Sequence, residues 1–141
     1  MRDPAIKAFR LTKDNVARVI RATKAMRSMA KTDAEFRREY SSQESVTANL
    51  DQTIADIEKK RPRHVAVIRE VGLTPRDYIL TFLALLQADA VSRNVEGASA
   101  DYVNPENLMF VRRQKRQTLT AIREITKLNQ FKERQSPAGV P

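Results

Sequence analysis

Residues 72–92 read GLTPRDYILTFLALLQADAVS, and this stretch decides the architecture. Thr74 stands before Pro75, with Asp77 three residues after Thr74. A hydroxyl accepts from a free backbone N–H, a proline loses nothing at the first helical position, and a carboxylate suits the first turn, so a helix starts here. Gly72 supplies the left-handed residue that closes whatever helix precedes it. The helix predicted over residues 75–92 carries Tyr78, Ile79, Leu80, Phe82, Leu83, Leu85, Leu86, Ala88 and Val91, so it is apolar almost all round. A helix with no wide polar face belongs at the centre of a bundle.

Moving back along the chain, Pro62 opens a short helix bearing Val65, Ile68 and Val71. Before it, Val46, Leu50, Ile54 and Ile57 recur at helical spacing, from a start at Ser41 with Glu44 three residues on, to a basic end at Lys59, Lys60 and Arg61. Asp33 caps a short helix in which Phe36 and Tyr40, four apart, anchor one face. Thr12 caps a helix over residues 13–31, with Val16, Val19, Ile20, Thr23, Met26 and Ala30 on one face and Lys13, Arg18, Arg21, Lys24 and Lys31 on the other. Forward from the central helix, a loop over residues 94–103 leads to Asn104 and Pro105, which repeat the cap-then-proline arrangement. A single helix over residues 105–129 follows, its buried stripe formed by Leu108, Val111, Leu119, Ile122 and Ile125. Residues 1–10 and 132–141 show no periodicity and are expected to be loose ends.

The expected fold is therefore all-α: one domain over residues 1–141, a bundle of four main helices and one or two short ones around the central apolar helix. A chain of 141 residues buries roughly 70% of the surface its unfolded form exposes, enough for a core without staples. With no cysteine, thiolate nucleophiles, iron–sulfur clusters and cysteine-ligated zinc are excluded. The one histidine, His64, lies among Arg61, Arg63 and two lysines and reads as a surface residue, without partners at metal-ligand spacing. No cofactor and no metal are expected. The three glycines are too scattered for a phosphate-binding loop. The longest apolar run, residues 78–86, is less than half of the ~20 residues a membrane span needs, so no integral membrane association is expected.

Residues 72–89, G-L-T-P-R-D-Y followed by I-L-T-F-L-A-L-L-Q-A-D, resemble the signature segment of a poorly characterised group of small helical exported bacterial proteins. The likeness takes in Phe9, Arg10, Leu11, Thr12 and Val16 upstream, and Val103, Asn104, Pro105, Glu106, Asn107, Phe110 and Val111 downstream. It covers residues 9–125 and implies a periplasmic or secreted helical domain, with no activity, cofactor or site residues attached. This chain departs from the pattern in its high basic content and in lacking an export signal after Met1. The expected location is periplasmic or secreted where a signal has been removed, and cytoplasmic otherwise.

Twenty-six Lys and Arg against seventeen Asp and Glu give a net charge of +9, which favours polyanionic partners. On the last helix Arg112, Arg116, Arg123 and Lys127 fall within an arc of about 60°, with Arg113 a little further round. Such a stripe can grip phosphates, yet it lacks aromatic residues for base stacking, and a solvated helix face explains it better. Lys115 projects beside the apolar stripe, where its ammonium either binds an anion in a cleft or reaches water over a packed stem. Asp89 falls on the side of the central helix that carries Tyr78, Phe82 and Leu85, so it needs helix fraying or a basic partner. Asp77 and Tyr78 could form an acid–base pair, but a capping carboxylate explains Asp77 better.

An enzyme needs polar side chains converging in an apolar pocket, and the sequence displays no such set. The reading is a non-enzymatic helical domain that binds a small molecule or a protein partner through Arg112, Arg113, Lys115, Arg116, Arg123 and Lys127. The alternative is a basic nucleic-acid-binding protein acting through phosphate contacts. A helix-turn-helix around Gly72 is rejected, because its recognition helix would have to lie in the core. Peripheral membrane attachment through the helix at residues 13–31 is the weakest reading, since that helix lacks Trp and Phe at its boundary.

Overall fold

The computed structural model describes residues 3–41 and 49–131. Eight α-helices are present among them: α1 Pro4–Ala8, α2 Lys13–Thr32, α3 Ala34–Ser41, α4 Leu50–Lys60, α5 Pro62–Glu70, α6 Pro75–Ser92, α7 Pro105–Arg113 and α8 Lys115–Asn129. A single 3-10 turn, Ala100–Tyr102, lies in the loop before α7. The fold is an all-α helical bundle.

The start of α6 follows the capping logic. The Thr74 hydroxyl accepts from the Asp77 N–H at 3.0 Å, and the Asp77 carboxylate accepts from the Thr74 N–H at 3.5 Å. Gly72 closes the preceding turn at φ +85°, the left-handed region. From residue 77 to residue 92 no side chain of α6 is fully exposed. The helix packs against α1, α2, α4, α5, α7 and α8, which makes it the centre of the bundle. Asp89 stays 8% exposed because Arg93, one turn on in the chain, reaches its carboxylate at 2.9 Å. Its partner thus comes from the end of the same helix.

The core divides into two clusters bridged by α2 and α6. One gathers Ile6, Val16, Leu50, Ile54, Leu85 and Val111; the other gathers Val19, Met26, Phe36, Ile68, Tyr78 and Leu128. Residues 3–10 are not a loose end: Asp3 caps α1, and Ile6 is 1% exposed. Two asparagines hold this segment. The Asn104 side chain donates to the Lys7 and Phe9 carbonyls, while Asn107 donates to the Phe9 carbonyl at 2.7 Å and accepts from the Leu11 N–H at 2.9 Å. Periodicity missed this anchor because it is polar and spans nearly the whole chain.

The single helix expected over residues 105–129 is two helices. Gln114, at φ −108° and ψ 49°, ends α7 and begins α8: its N–H donates to the Phe110 carbonyl and its own carbonyl accepts from Thr118. α7 packs chiefly on α6 and α8 chiefly along α2, so the break at Gln114 divides the segment between two neighbours. With the count reset at Gln114, the buried residues of α8 are Thr118, Ala121, Glu124, Ile125 and Leu128, and Leu119 is 53% exposed. α4 begins with Asn49 as its cap, so the Ser41 start is not used: Ser41 closes α3. The remaining residues of that expected start, Glu44 and Val46 among them, lie outside the described residues, as does the tail over 132–141.

Candidate functional site

The junction between α4 and α5 builds the site. Pro62 has no N–H and restricts the residue before it, so α4 must stop and the chain must turn at Arg61. Arg61 closes α4 by donating its N–H to the Ile57 carbonyl at 2.8 Å and opens α5 by accepting from the Val65 N–H at 2.9 Å. That turn points its side chain inward. Arg61 is 8% exposed, whereas Lys59 and Lys60 face solvent. The guanidinium lies 4.4 Å over the Tyr40 ring, and one of its terminal N–H groups donates to the Tyr40 carbonyl. Its Nε has no partner, and Arg61 makes no ion pair among the described residues. Burial lowers its pKa, against the pull of Tyr40 and Glu39.

One turn later His64 is 2% exposed, stacked on Phe36 at 3.8 Å between ring centroids and on Tyr40 at 5.2 Å. This corrects the surface assignment. Phe36 and Tyr40 do anchor one face of α3, and what they anchor is the imidazole. The Glu39 carboxylate lies 2.8 Å from His64 Nδ1 and also accepts from the His64 backbone N–H at 2.9 Å. Burial pushes the His64 pKa down to about 4; Glu39 pulls it upward, and Arg61 and Arg63 lower it further. The ring is therefore neutral near pH 7. A carboxylate only accepts, so the proton sits on Nδ1 and Nε2 presents a lone pair. Nε2 is buried and has no hydrogen-bond partner among the described residues.

Both side chains line a cavity of about 480 Å³ between α2, α3, α4, α5, α6 and α8. Its apolar wall comes from Met26, Ile57, Ile68, Phe82, Ile125 and Leu128, with Ile79 and Leu83 beside them. The other polar groups on the wall are occupied. The Tyr40 hydroxyl donates to the Asn129 side chain, and Thr53 donates to the Asn49 carbonyl at 3.0 Å. The Tyr78 hydroxyl lies 2.7 Å from Thr23 Oγ1, which itself donates to the Val19 carbonyl, so Tyr78 is the donor. Burial raises the Tyr78 pKa and keeps the phenol neutral. A Glu39–His64 pair facing a cavity resembles a general-base arrangement, but no hydroxyl is hydrogen-bonded to Nε2 among the described residues and an imidazole with a pKa near 4 is a weak base.

The six cations singled out from sequence lie elsewhere. Arg112 and Arg113 end α7, and Lys115 and Arg116 begin α8, all four exposed; Arg123 is exposed and Lys127 half-buried on α8. The break at Gln114 separates the first pair from the rest, so the common stripe is reduced to Arg116, Arg123 and Lys127 on α8. None of the six lines the cavity, and none makes an ion pair among the described residues. The basic face of α2 is on the neighbouring helix. Gln117 donates to the Lys13 carbonyl at 2.8 Å and Arg27 meets Glu124 at 3.4 Å, so α2 and α8 run side by side in one direction. Arg18 is committed to Asp14 at 2.8 Å and to the Val71 carbonyl at 2.7 Å. The candidate site that sequence reasoning missed is Arg61, His64, Glu39 and Tyr40. The one signal for it was Arg61-Pro62, read as a helix end when it also decides which way an arginine points.

No helix of the described residues is long and apolar enough to cross a membrane, and no cluster of three or more potential metal ligands is found among them. No family model, curated protein or solved structure matches this chain.

Proposed function

We propose that this chain is a non-enzymatic, exported helical domain that binds a small molecule in the cavity between α2, α3, α4, α5, α6 and α8. The observation that carries this reading is the cavity itself: about 480 Å³, mostly apolar, with a few convergent polar groups, which is the usual make-up of a small-molecule site. Export is supported by the resemblance of residues 72–89 to the exported bacterial group; recovery of the native gene product only from the cytoplasm would remove that part. The cavity is tested by titration with N-phenyl-1-naphthylamine, a neutral dye that fluoresces in apolar surroundings. Saturable 1:1 binding is expected, and Leu83→Trp, which places an indole in the cavity, abolishes it while circular dichroism stays helical. Absence of saturable binding to the wild type overturns the reading.

A second reading, binding of nucleic acid through phosphate contacts, is supported by the exposed cations of α8, which make no ion pair among the described residues, on a helix that packs along α2. It has no aromatic stacking platform to add, so its affinity would be electrostatic and steeply salt-dependent.

A further inference from the structure

The order of residues around α2 and α8 fixes how their charged faces stand to each other. At about 100° per residue, α2 turns from its buried side, Val19 and Thr23, to Arg27 and then, within about 60° more, to Lys13, Lys31 and Lys24. α8 turns from its buried side, Ala121 and Leu128, to Gln117 and Glu124 and then, within about 100° more, to Lys127, Arg116 and Arg123. Arg27, Gln117 and Glu124 mark where the helices touch, since Arg27 meets Glu124 at 3.4 Å and Gln117 reaches the Lys13 carbonyl at 2.8 Å. Both helices have the core on one side of this seam. The residues that follow the contact on each helix therefore share the other, outer side, with three lysines of α2 along one bank and Arg116, Arg123 and Lys127 of α8 along the other. Five of the six are exposed and Lys127 is half-buried, and none makes an ion pair among the described residues.

We propose, resting on the nucleic-acid reading above, that the outer side of the α2–α8 seam is one docking surface for the phosphate backbone of double-stranded nucleic acid, gripped from both banks. Charge complementarity favours a polyanion. The carboxylates of the two helices, Asp14 and Glu124, are already paired with Arg18 and Arg27, so nothing on either bank opposes an anion. From Lys13 to Lys31 the seam runs about 27 Å, the length of about eight base pairs of duplex, along which phosphates recur at close intervals on both strands. Neither helix carries an aromatic residue, so a single strand gains no stacking here and a duplex, which offers the denser row of phosphates, is the better fit. A bilayer is a poorer one. A helix lying in a membrane surface needs its apolar side in the lipid, and the apolar sides of α2 and α8 are turned into the core, with Leu119 the one large apolar side chain they expose.

The test is fluorescence anisotropy of a labelled mixed-sequence DNA duplex across salt, beside a homothymidylate strand of the same length, with co-sedimentation on phosphatidylglycerol vesicles. Three triple variants are compared, each losing the same charge: Lys13→Gln, Lys24→Gln and Lys31→Gln on the α2 bank; Arg116→Gln, Arg123→Gln and Lys127→Gln on the α8 bank; and Lys7→Gln, Arg38→Gln and Lys59→Gln, exposed on α1, α3 and α4, as the control. The wild type is expected to bind the duplex at micromolar level at about 150 mM salt and more tightly than the single strand. Each bank's triple weakens duplex binding about tenfold or more and lowers the salt slope by about 3, while the control changes affinity far less. Circular dichroism checks that the variants stay helical, and the comparison of duplex with single strand on the wild type needs no variant. Loss from one bank only, or equal loss from all three triples, overturns the two-bank surface and leaves the nucleic-acid reading intact. Tighter binding of the single strand overturns the duplex assignment. Failure of the wild type to bind either DNA overturns the nucleic-acid reading itself, and vesicle binding in that case assigns the cations to a membrane surface instead.

Discussion

Burial holds the His64 imidazole neutral, and the same burial ties the protein's stability to pH. Its pKa is pushed down to about 4 from the ordinary 6.5, so below 6.5 the unfolded chain takes a proton that the folded chain refuses. The stabilisation is therefore fully present above pH 6.5 and is lost as pH falls towards 4. Urea denaturation is expected to show a loss of about 2 kcal/mol between pH 6.5 and about 5. His64→Gln, although less stable at neutral pH, is expected to be flat over that window, and a variant that keeps the wild-type slope would assign it to other groups. Asp33 contributes at lower pH: the Arg63 side chain and the Phe36 N–H hold its carboxyl down to about 2, so its share is lost only as pH falls from 3.8 towards 2. Composition could not reveal the state of His64, since the basic neighbours that place it at the surface in sequence are turned away from it, or inward beside it, by the turn at Arg61.

At the scale of elements, capping explains most of what forms. Thr12, Thr74 and Asn104 each accept from an N–H three residues on, and Pro62, Pro75 and Pro105 each open a helix. These signals are local, which is why α6 has the boundaries expected of it and α2 differs by one residue. The α2–α8 seam is different. It buries Glu124, 7% exposed at its side chain, against Arg27 at 23%. Neither residue stands out in sequence, because the two lie on separate helices and meet only through packing. Arg27→Ala leaves a buried carboxylate without its cation, and a loss of about 3 kcal/mol in denaturant melts is expected. Arg27→Met with Glu124→Leu is expected to recover most of that loss, since an apolar pair restores packing and removes both desolvation costs.

For the molecule as a whole, the exposed charge and the cavity can be tested separately. Arg116, Arg123 and Lys127 share one face of α8 and none of them lines the cavity. Changing all three to glutamate is expected to leave binding of N-phenyl-1-naphthylamine unchanged and to reduce any affinity for labelled double-stranded DNA, with the salt slope falling by about 1 for each phosphate no longer neutralised. Fluorescence anisotropy across salt checks the DNA arm, and the dye titration checks the cavity arm. Wild-type binding that disappears by about 150 mM salt assigns the charge to an ordinary solvated surface. The sequence by itself determined the helical class, the central place of α6 and the caps and prolines that start most helices, because these depend on contacts within a turn or two of chain. Tertiary structure alone decided that the last helix breaks at Gln114, that residues 3–10 are pinned by Asn104 and Asn107, and that Arg61 and His64 face a cavity. Each of these depends on which surfaces distant segments present to one another, and no periodicity along a single helix carries that information.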